Sequence, residues 1–122
     1  MSGDFMKIET MIKLLDATVL SCEENVDRHV YSACGCDLMS DVLAYVKDQA
    51  VLLTGLVNPQ VIRTAVMMDM ICIVFVRSKK PTEEMLELAK ESGIVIMTTD
   101  KPLYEACGML YSEGLIGNKT RK

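Results

Sequence analysis

The fold is decided by the stretch Met70-Ile71-Cys72-Ile73-Val74-Phe75-Val76, which is the longest unbroken apolar run in the chain. A strand with one exposed face would alternate apolar and polar residues, so this run predicts a strand that is covered on both faces. Residues 50–54 and 94–97 are shorter runs of the same kind, and apolar residues at helical spacing follow each run. Buried strands that alternate with helices predict a parallel sheet with right-handed crossovers.

Capping residues place the helices between these strands. Asn58-Pro59 predicts an N-cap followed by the first helical residue, and Thr82 is a natural N-cap for the next helix. Gly93 fits the residue just past the end of that helix. Asp100 is expected to cap the last helix. Gly108 lies inside it at a cost of about 1 kcal/mol relative to alanine, which indicates close packing there.

The first half of the chain is organised differently. Residues 7–15 predict a short helix, and residues 17–21 predict a short strand. Residues 28–36 form a second extended segment, and Asp37 is expected to cap the helix that follows. Apolar residues on one face of that helix are predicted to be buried: Leu38, Met39, Val42, Leu43 and Val46.

Together these segments predict an α/β fold, a single layered domain with a mostly parallel sheet of about five strands and helices on both faces. A chain of 122 residues is long enough for one domain and too short for two well-packed ones. We expect the domain to span residues 1–122, with its core at about residues 6–116 and a flexible basic tail at residues 117–122.

Charge and hydropathy exclude several kinds of partner. The chain has 13 Lys and Arg against 17 Asp and Glu, a net charge of −4. An acidic body repels a phosphate backbone, so nucleic acid is not an expected partner. The longest apolar run is far shorter than the roughly 18 residues that span a bilayer, and the N-terminus does not resemble a secretion signal. We therefore expect no membrane partner and a cytoplasmic location.

The cysteines are expected to be reduced structural thiols. There are five of them, and their spacing matches no disulfide framework. Cys34 and Cys36 share one face of an extended segment, because side chains alternate along a strand. With His29, the only histidine, they make an incomplete zinc set, so no metal and no other cofactor is predicted.

Catalytic motifs are missing from the sequence. It contains no phosphate-binding P-loop, no dinucleotide-binding glycine pattern and no nucleophile elbow. Acid–base chemistry would depend on one histidine and scattered carboxylates. We therefore predict no enzyme activity and no catalytic residue.

Polar residues follow each of the predicted parallel strands. Ligands of open parallel sheets bind beyond the carboxyl ends of the strands, where loops and helix N-termini meet. The hydroxyls and cations found there suit an anionic or nucleotide-like ligand. A simpler alternative is that these residues are helix caps and solvated loops. The candidate ligand-binding residues are Thr54, Asn58, Lys79, Thr98, Thr99 and Asp100.

A family resemblance extends over about residues 6–116. The segment Val19-Leu20-Ser21-Cys22-Glu23-Glu24-Asn25-Val26-Asp27-Arg28-His29-Val30 resembles the start of the DRTGG domain family. The similarity continues through Ser40-Asp41-Val42-Leu43, Asn58-Pro59, Pro81 and Thr99-Asp100. It is the order and spacing of these pieces, rather than any one of them, that makes the resemblance specific.

The resemblance implies a fold similar to the N-terminal domain of HPr kinase. It also implies that the domain has no catalytic activity, and members of the family are often dimeric. Such domains occur alone and inside regulatory pyrophosphatases. Our first hypothesis is a regulatory or interaction module that forms a homodimer and docks to a metabolic or redox protein through its motif loop and sheet face. The alternative is a sensor that binds a nucleotide or another anion at the carboxyl ends of the strands.

The resemblance also assigns candidate motif and interface residues, which are Asp27, Arg28, His29, Tyr31 and Asp37. Asp27 and Arg28 match the first two residues of the family motif and are expected to form a structural pair that fixes the motif loop. Tyr31, Ser32 and Ala33 replace the usual threonine and paired glycines, and Asn58 stands where histidine is commoner. Side chains at these positions resist the backbone conformations that glycine permits. A ligand contact that depends on those glycines in the family is therefore not assigned to this chain.

Overall fold

Four parallel strands and one antiparallel strand form the main sheet of the computed structural model, which describes residues 5–45 and 49–115. A separate two-stranded sheet pairs β1 with β3. The strands are β1 (Met6–Lys7), β2 (Thr18–Ser21), β3 (His29–Val30), β4 (Ser32–Gly35), β5 (Ala50–Thr54), β6 (Cys72–Phe75) and β7 (Val95–Thr98). The helices are α1 (Ile8–Leu15), α2 (Met39–Tyr45), α3 (Pro59–Met67), α4 (Glu83–Ser92) and α5 (Leu103–Ser112), and a 3₁₀ turn covers Glu23–Asn25.

The main sheet has the strand order β2-β7-β6-β5-β4. Strands β4 to β7 run parallel, in register from Ser32↔Ala50 through Val51↔Cys72 to Cys72↔Val95. Only β2 is antiparallel: a tight turn at Asp16 returns the chain from α1 to this edge beside β7. The predicted α/β fold with a mostly parallel sheet is confirmed.

Two apolar layers cover the faces of the sheet. One consists mainly of α1 and α5, through Met11, Leu15, Ala106 and Leu110. The other consists of α2, α3 and α4 and includes buried Met85. Every residue of β5, β6 and β7 is buried, which explains why their sequences do not alternate with polar residues.

The local helix signals are confirmed for the central helices. Asn58 Oδ1 accepts a hydrogen bond from the Gln60 N–H at 2.8 Å, with Pro59 as the first residue of α3. Thr82 Oγ1 accepts one from the Met85 N–H at 3.3 Å. Gly93 ends α4 with a φ of +72°, in the left-handed region.

Two predicted caps are wrong, because neither residue directly precedes the helix that it was expected to cap. Asp37 Oδ1 accepts hydrogen bonds from Thr54 Oγ1 and the Gly55 N–H, each at 2.8 Å, and α2 begins later, at Met39. Asp100 lies too far before α5, which follows Pro102 without a side-chain cap. Asp37 therefore connects the segment after β4 to the end of β5, and Asp100 lies in the loop between β7 and α5.

Two other predictions for the first half need correction. Residues 28–36 are not one extended segment, because β3 pairs with β1 while β4 enters the main sheet. The expected apolar face of α2 is only partly buried: Met39 and Val42 are buried, whereas Leu38 is 58% and Leu43 is 41% exposed. Helix α2 packs against α3 through Met39 and Val42, and the rest of its apolar face stays exposed. Val46 and the basic tail at residues 117–122 lie outside the described residues.

Close glycine packing occurs at a different position from the one predicted. Among residues 5–45 and 49–115, no atom lies within 4 Å of a Cβ built on Gly108, so the prediction of close packing there is wrong. A Cβ on Gly35 would instead collide with Cys107 Sγ of α5. Glycine on β4 therefore lets α5 approach the strand directly.

Substitution of the two glycines by alanine is expected to change the stability of the fold in opposite directions. Gly35→Ala should destabilise the fold by about 1–3 kcal/mol through overpacking, whereas Gly108→Ala should stabilise it by about 1 kcal/mol through helix propensity. Urea unfolding measures both. The added Cys107→Ala should restore most of the loss, and equal effects of the two single substitutions would contradict this packing.

Candidate functional site

A polar crevice of about 240 Å³ lies where β6 and β7 end and β2 begins. Because β2 is antiparallel to β7, Thr18 at the start of β2 pairs with Thr98 at the end of β7. The loop after β6 forms another wall. The lining residues are Asp16, Thr18, Ser78, Lys80, Thr98, Thr99 and Asp100.

The loop after β6 has an unusual backbone. Arg77 and Ser78 are consecutive non-glycine residues in the left-handed region, with φ of 53° and 60°. Their N–H groups donate to Lys101 O at 2.9 Å and Thr99 O at 2.8 Å, which ties this loop to the loop after β7. Such conformations cost on the order of 1–3 kcal/mol each and are found in clusters at functional sites. The strain positions Ser78 on the crevice wall.

The crevice hydroxyls divide into two pairs. Thr98 Oγ1 donates to Lys79 O at 2.7 Å, and Thr99 Oγ1 donates to Leu15 O at 2.6 Å. These two hydroxyls therefore already donate hydrogen bonds within the protein and are not available to a ligand. The hydroxyls of Thr18 and Ser78 have no hydrogen-bond partner in the part of the chain described, and both residues are exposed. Thr18, Ser78 and the ammonium group of Lys80 are the donors that a ligand can use.

Opposite charges are nearly balanced around the crevice. Lys80 adds one positive charge, whereas Asp16 and Asp100 add two negative charges. Lys101 Nζ lies 3.7 Å from Asp100 Oδ1 and compensates part of this charge. A bare polyanion would gain little attraction from this lining, whereas a divalent cation complex of a phosphate suits it better.

The structure separates the candidate ligand-binding residues. Thr98, Thr99 and Asp100 line the crevice, and Lys79 contributes the carbonyl that Thr98 contacts. Thr54 is fully buried, and its hydroxyl donates to Asp37. Asn58 is the N-cap of α3. Three of the six candidates therefore line one crevice, and the other three lie outside it.

Two crevice residues escaped the sequence analysis altogether. Asp16 and Thr18 precede or begin β2, far from the loops after the parallel strands. Their only local signal is a polar turn between a helix and a strand. The antiparallel pairing of β2 with β7 brings them to the site, and a single sequence does not reveal that pairing.

Four candidate motif residues lie in or next to the small sheet, which are Asp27, Arg28, His29 and Tyr31. Asp37 instead bonds to Thr54 and Gly55 at the end of β5, and none of the five lines the crevice. Asp27 and Arg28 are both exposed, and no ion pair joins them within the described residues, so the expected structural pair is not formed. The His29 ring packs edge-on against Phe5 with 4.7 Å between centroids. The Tyr31 ring lies 6.0 Å from the Phe5 ring. The motif segment thus presents aromatic rings rather than a charged pair.

The cysteines are free thiols in a mostly apolar environment. Cys34 and Cys36 pack against the same apolar layer, as predicted. Burial raises the pKa of the Cys34 thiol to about 11, and the nearby Cys36 and Cys107 add to the shift. Burial also raises the pKa of Cys72. These shifts disfavour the thiolate, which is the nucleophilic and metal-binding form.

Within residues 5–45 and 49–115, no cluster of three or more His, Cys, Asp or Glu side chains could hold a metal ion. No helix in the same ranges has the length and hydropathy of a membrane span.

The chain thus folds as a three-layer α/β domain with a polar crevice at the strand ends of its sheet. The family model of the DRTGG domain matches residues 10–112. The chain therefore belongs to the DRTGG domain family, which confirms the resemblance seen in the sequence.

A solved structure with a similar fold is the crystal structure of the CBS and DRTGG domains of the regulatory region of Clostridium perfringens pyrophosphatase, complexed with its activator diadenosine tetraphosphate. The TM-score is 0.71 at 15% sequence identity, over 89% of this chain. The match covers 47% of that chain, so the present chain spans about half its length. Comparison with curated proteins gave no match.

Thr99 is expected to be a structural residue despite its place in the crevice. Thr99→Val should cost about 1–3 kcal/mol of unfolding free energy, because the carbonyl of Leu15 loses its hydroxyl donor. Thr18→Val, a matched change at an exposed crevice residue, should stay within about 0.5 kcal/mol of the wild type. Chemical denaturation compares the two, and an unchanged Thr99→Val would refute this role.

The raised pKa of Cys34 predicts slow alkylation at neutral pH. With a pKa of about 11, the reaction with iodoacetamide should accelerate about tenfold per pH unit between about pH 7 and 9.5 without levelling off. The folded chain holds this proton more tightly than the unfolded chain. The shift therefore stabilises the fold below about pH 8.5, and this contribution is lost as the pH rises toward 11. Peptide mapping by mass spectrometry follows the rate, and a plateau near pH 8.5 in the native protein would contradict the shift.

Proposed function

We propose that this chain is a non-catalytic regulatory domain that binds the phosphate-bearing part of a nucleotide in the strand-end crevice. The observation that carries the proposal is the set of uncommitted donors at Thr18, Ser78 and Lys80 in a polar crevice. Two hydroxyls and an ammonium group can donate hydrogen bonds to phosphate oxygens. The strained loop that presents Ser78 supports a functional role for this edge.

The size of the crevice limits what it holds. Pockets that enclose a whole small molecule usually measure roughly 300–1,000 Å³, and this crevice measures about 240 Å³. It suits a phosphate group and its metal ion, with the rest of the nucleotide lying outside or against a neighbouring domain. The regulatory region with a similar fold was crystallised with a nucleotide that has four phosphates, which is consistent with such a ligand.

A second candidate function is docking to a metabolic or redox protein through the motif segment. The observation that favours it is the exposed aromatic group of Phe5, His29 and Tyr31, in which Phe5 is 53% and Tyr31 is 43% exposed. Aromatic residues are enriched at protein interfaces. In either role the domain acts in the cytoplasm, without nucleic acid or membrane as a partner.

Calorimetric titration with ATP and with diadenosine tetraphosphate, each with and without Mg²⁺, tests the proposed site. We expect binding that requires Mg²⁺, because the divalent ion offsets Asp16 and Asp100. Lys80→Ala and Ser78→Ala should each weaken it by about 3- to 30-fold, which corresponds to about 0.7–2 kcal/mol for one lost donor.

The matched control is Lys90→Ala, which removes an exposed lysine from α4, far from the crevice. It should leave the affinity unchanged. If neither nucleotide binds at millimolar concentration, or if Lys90→Ala weakens binding as much as Lys80→Ala, the crevice is not the site and docking through the motif segment becomes the better hypothesis.

A further inference from the structure

The carboxylate of Asp37 has one oxygen that the fold uses and one that stays open. Oδ1 accepts hydrogen bonds from Thr54 Oγ1 and from the Gly55 N–H, each at 2.8 Å. In the described part of the chain Oδ2 accepts no hydrogen bond, and Asp37 is exposed. The two bonds to Oδ1 fix the carboxylate at the end of β5, and Oδ2 remains an acceptor for another molecule.

Gly55, the residue that follows β5, is not explained by the surrounding fold. Its backbone does not adopt the left-handed conformation that favours glycine. A Cβ built on Gly55 would meet its nearest described neighbours at 3.7 Å, which is ordinary van der Waals contact. Neither the backbone conformation nor the packing of the described residues therefore requires glycine there. A glycine does let a ligand approach the backbone closely.

Two opposite charges flank this open stretch of backbone. Arg77 Nη2 lies 3.7 Å and Asp37 Oδ2 lies 3.8 Å from the position that a Cβ on Gly55 would take. No ion pair joins Arg77 to Asp37 among the residues that the structure describes. A hydrogen-bond acceptor and a guanidinium donor thus lie close to the same point. We call Asp37, Gly55 and Arg77 the β5-end site.

The strained loop after β6 connects the β5-end site to the crevice. Ser78 lies on the crevice wall, and Arg77, the residue before it, reaches Gly55. Both residues have left-handed backbone conformations, and their N–H groups donate to the carbonyls of Lys101 and Thr99. Two consecutive strained residues therefore supply one donor to each site.

The spacing of the two sites suits a chain of phosphate groups. One strand, β6, separates β5 from β7 in the sheet, and adjacent strands lie about 4.8 Å apart. The end of β5 is therefore about 10 Å from the end of β7, where Thr98 and Thr99 line the crevice. Three linked phosphates and the bond to the sugar cover a comparable distance. A nucleotide with its last phosphate in the crevice thus places its sugar beside Gly55.

We infer that the β5-end site binds the ribose of the nucleotide, so that the domain prefers ribonucleoside polyphosphates to their 2′-deoxy analogues. This deepens the proposed function and rests on it, since the terminal phosphates are taken to lie in the crevice. Asp37 Oδ2 accepts hydrogen bonds from the ribose hydroxyls, and an ionised carboxylate is a strong acceptor. Arg77 donates to a phosphate oxygen between the sugar and the crevice.

A ribonucleotide fits these residues better than another small ligand with two charges. A free amino acid would also match Asp37 and Arg77, through its ammonium and carboxylate groups. It would leave the uncommitted donors Ser78 and Lys80 unused, although the same loop holds them next to Arg77. A ribonucleotide uses both sets of groups at once.

Calorimetric titration with ATP, 2′-deoxyATP and inorganic triphosphate, each with Mg²⁺, separates this inference from the proposed function. ATP should bind about 5- to 30-fold more tightly than 2′-deoxyATP, because the deoxy analogue lacks a hydroxyl that donates to Asp37. Inorganic triphosphate should also bind more weakly than ATP, since it keeps the contacts in the crevice and lacks the sugar.

Asp37→Asn removes the proposed ribose acceptor and spares the fold. Asparagine keeps Oδ1, so the bonds from Thr54 and Gly55 are retained, and it replaces Oδ2 by an amide nitrogen. The thermal midpoint should therefore change little, whereas the preference for ATP over 2′-deoxyATP should disappear. The matched control Asp41→Asn removes the same charge from an exposed residue in the first turn of α2 and should keep the preference.

Gly55→Ala tests the open space by a different route. The added Cβ fits among the described protein atoms, so the free energy of unfolding should not fall. It occupies the position beside which the ribose lies, and ATP binding should weaken by a similar factor of about 5- to 30-fold. Binding of inorganic triphosphate should stay the same, because the crevice is unaltered.

The outcomes distinguish the two levels of the proposal. If none of the three ligands binds at millimolar concentration, the proposed function fails and the ribose site fails with it. If 2′-deoxyATP or inorganic triphosphate binds as tightly as ATP, the crevice binds phosphate and the ribose site is overturned. It is also overturned if Asp41→Asn removes the preference as fully as Asp37→Asn, because the effect would then be one of net charge.

Discussion

The rest of the structure depends on one constraint, which is that the central strand β6 has no face in contact with water. Its four residues are completely buried, and its neighbours β5 and β7 are buried on both faces as well. Exposing apolar surface costs about 25 cal/mol per Å², so each face of the sheet needs a helical layer. The chain satisfies this with α1 and α5 on one face and α2, α3 and α4 on the other. The crossovers between parallel strands follow from the same requirement.

The buried sheet also explains why the strand ends are polar and why most of this polarity is not available to a ligand. Thr54, Thr98 and Thr99 are buried at the carboxyl ends of β5 and β7, and buried hydroxyls need hydrogen-bond partners. Asp37 and the carbonyls of Lys79 and Leu15 provide these partners. In the described part of the crevice, the hydroxyls without a partner are those of the exposed residues Thr18 and Ser78. A structural network and a candidate binding site therefore occupy the same edge.

The two edges of the sheet have different surroundings because the chain reaches them differently. It reaches β2 by a tight turn from α1, and the 3₁₀ turn after β2 is held to the end of α4 by a hydrogen bond of 3.1 Å from Asn25 Nδ2 to Gly93 O. At the other edge, β4 lies between a short two-stranded sheet and the short helix α2. This leaves Leu38, Leu43 and Tyr31 partly uncovered.

Residues close together in the chain determined the class of fold, the three central strands and the helix ends at Asn58, Thr82 and Gly93. Apolar runs and helix caps depend on residues that are close together in the chain, so their patterns can be recognised in a single sequence. Only the tertiary structure decided that Asp37 bonds to the end of β5, that Gly35 rather than Gly108 is tightly packed, and that Asp16 and Thr18 join the crevice. These outcomes depend on which strands become neighbours and which helix approaches them. Such contacts join residues far apart in the chain, and local periodicity carries no information about them.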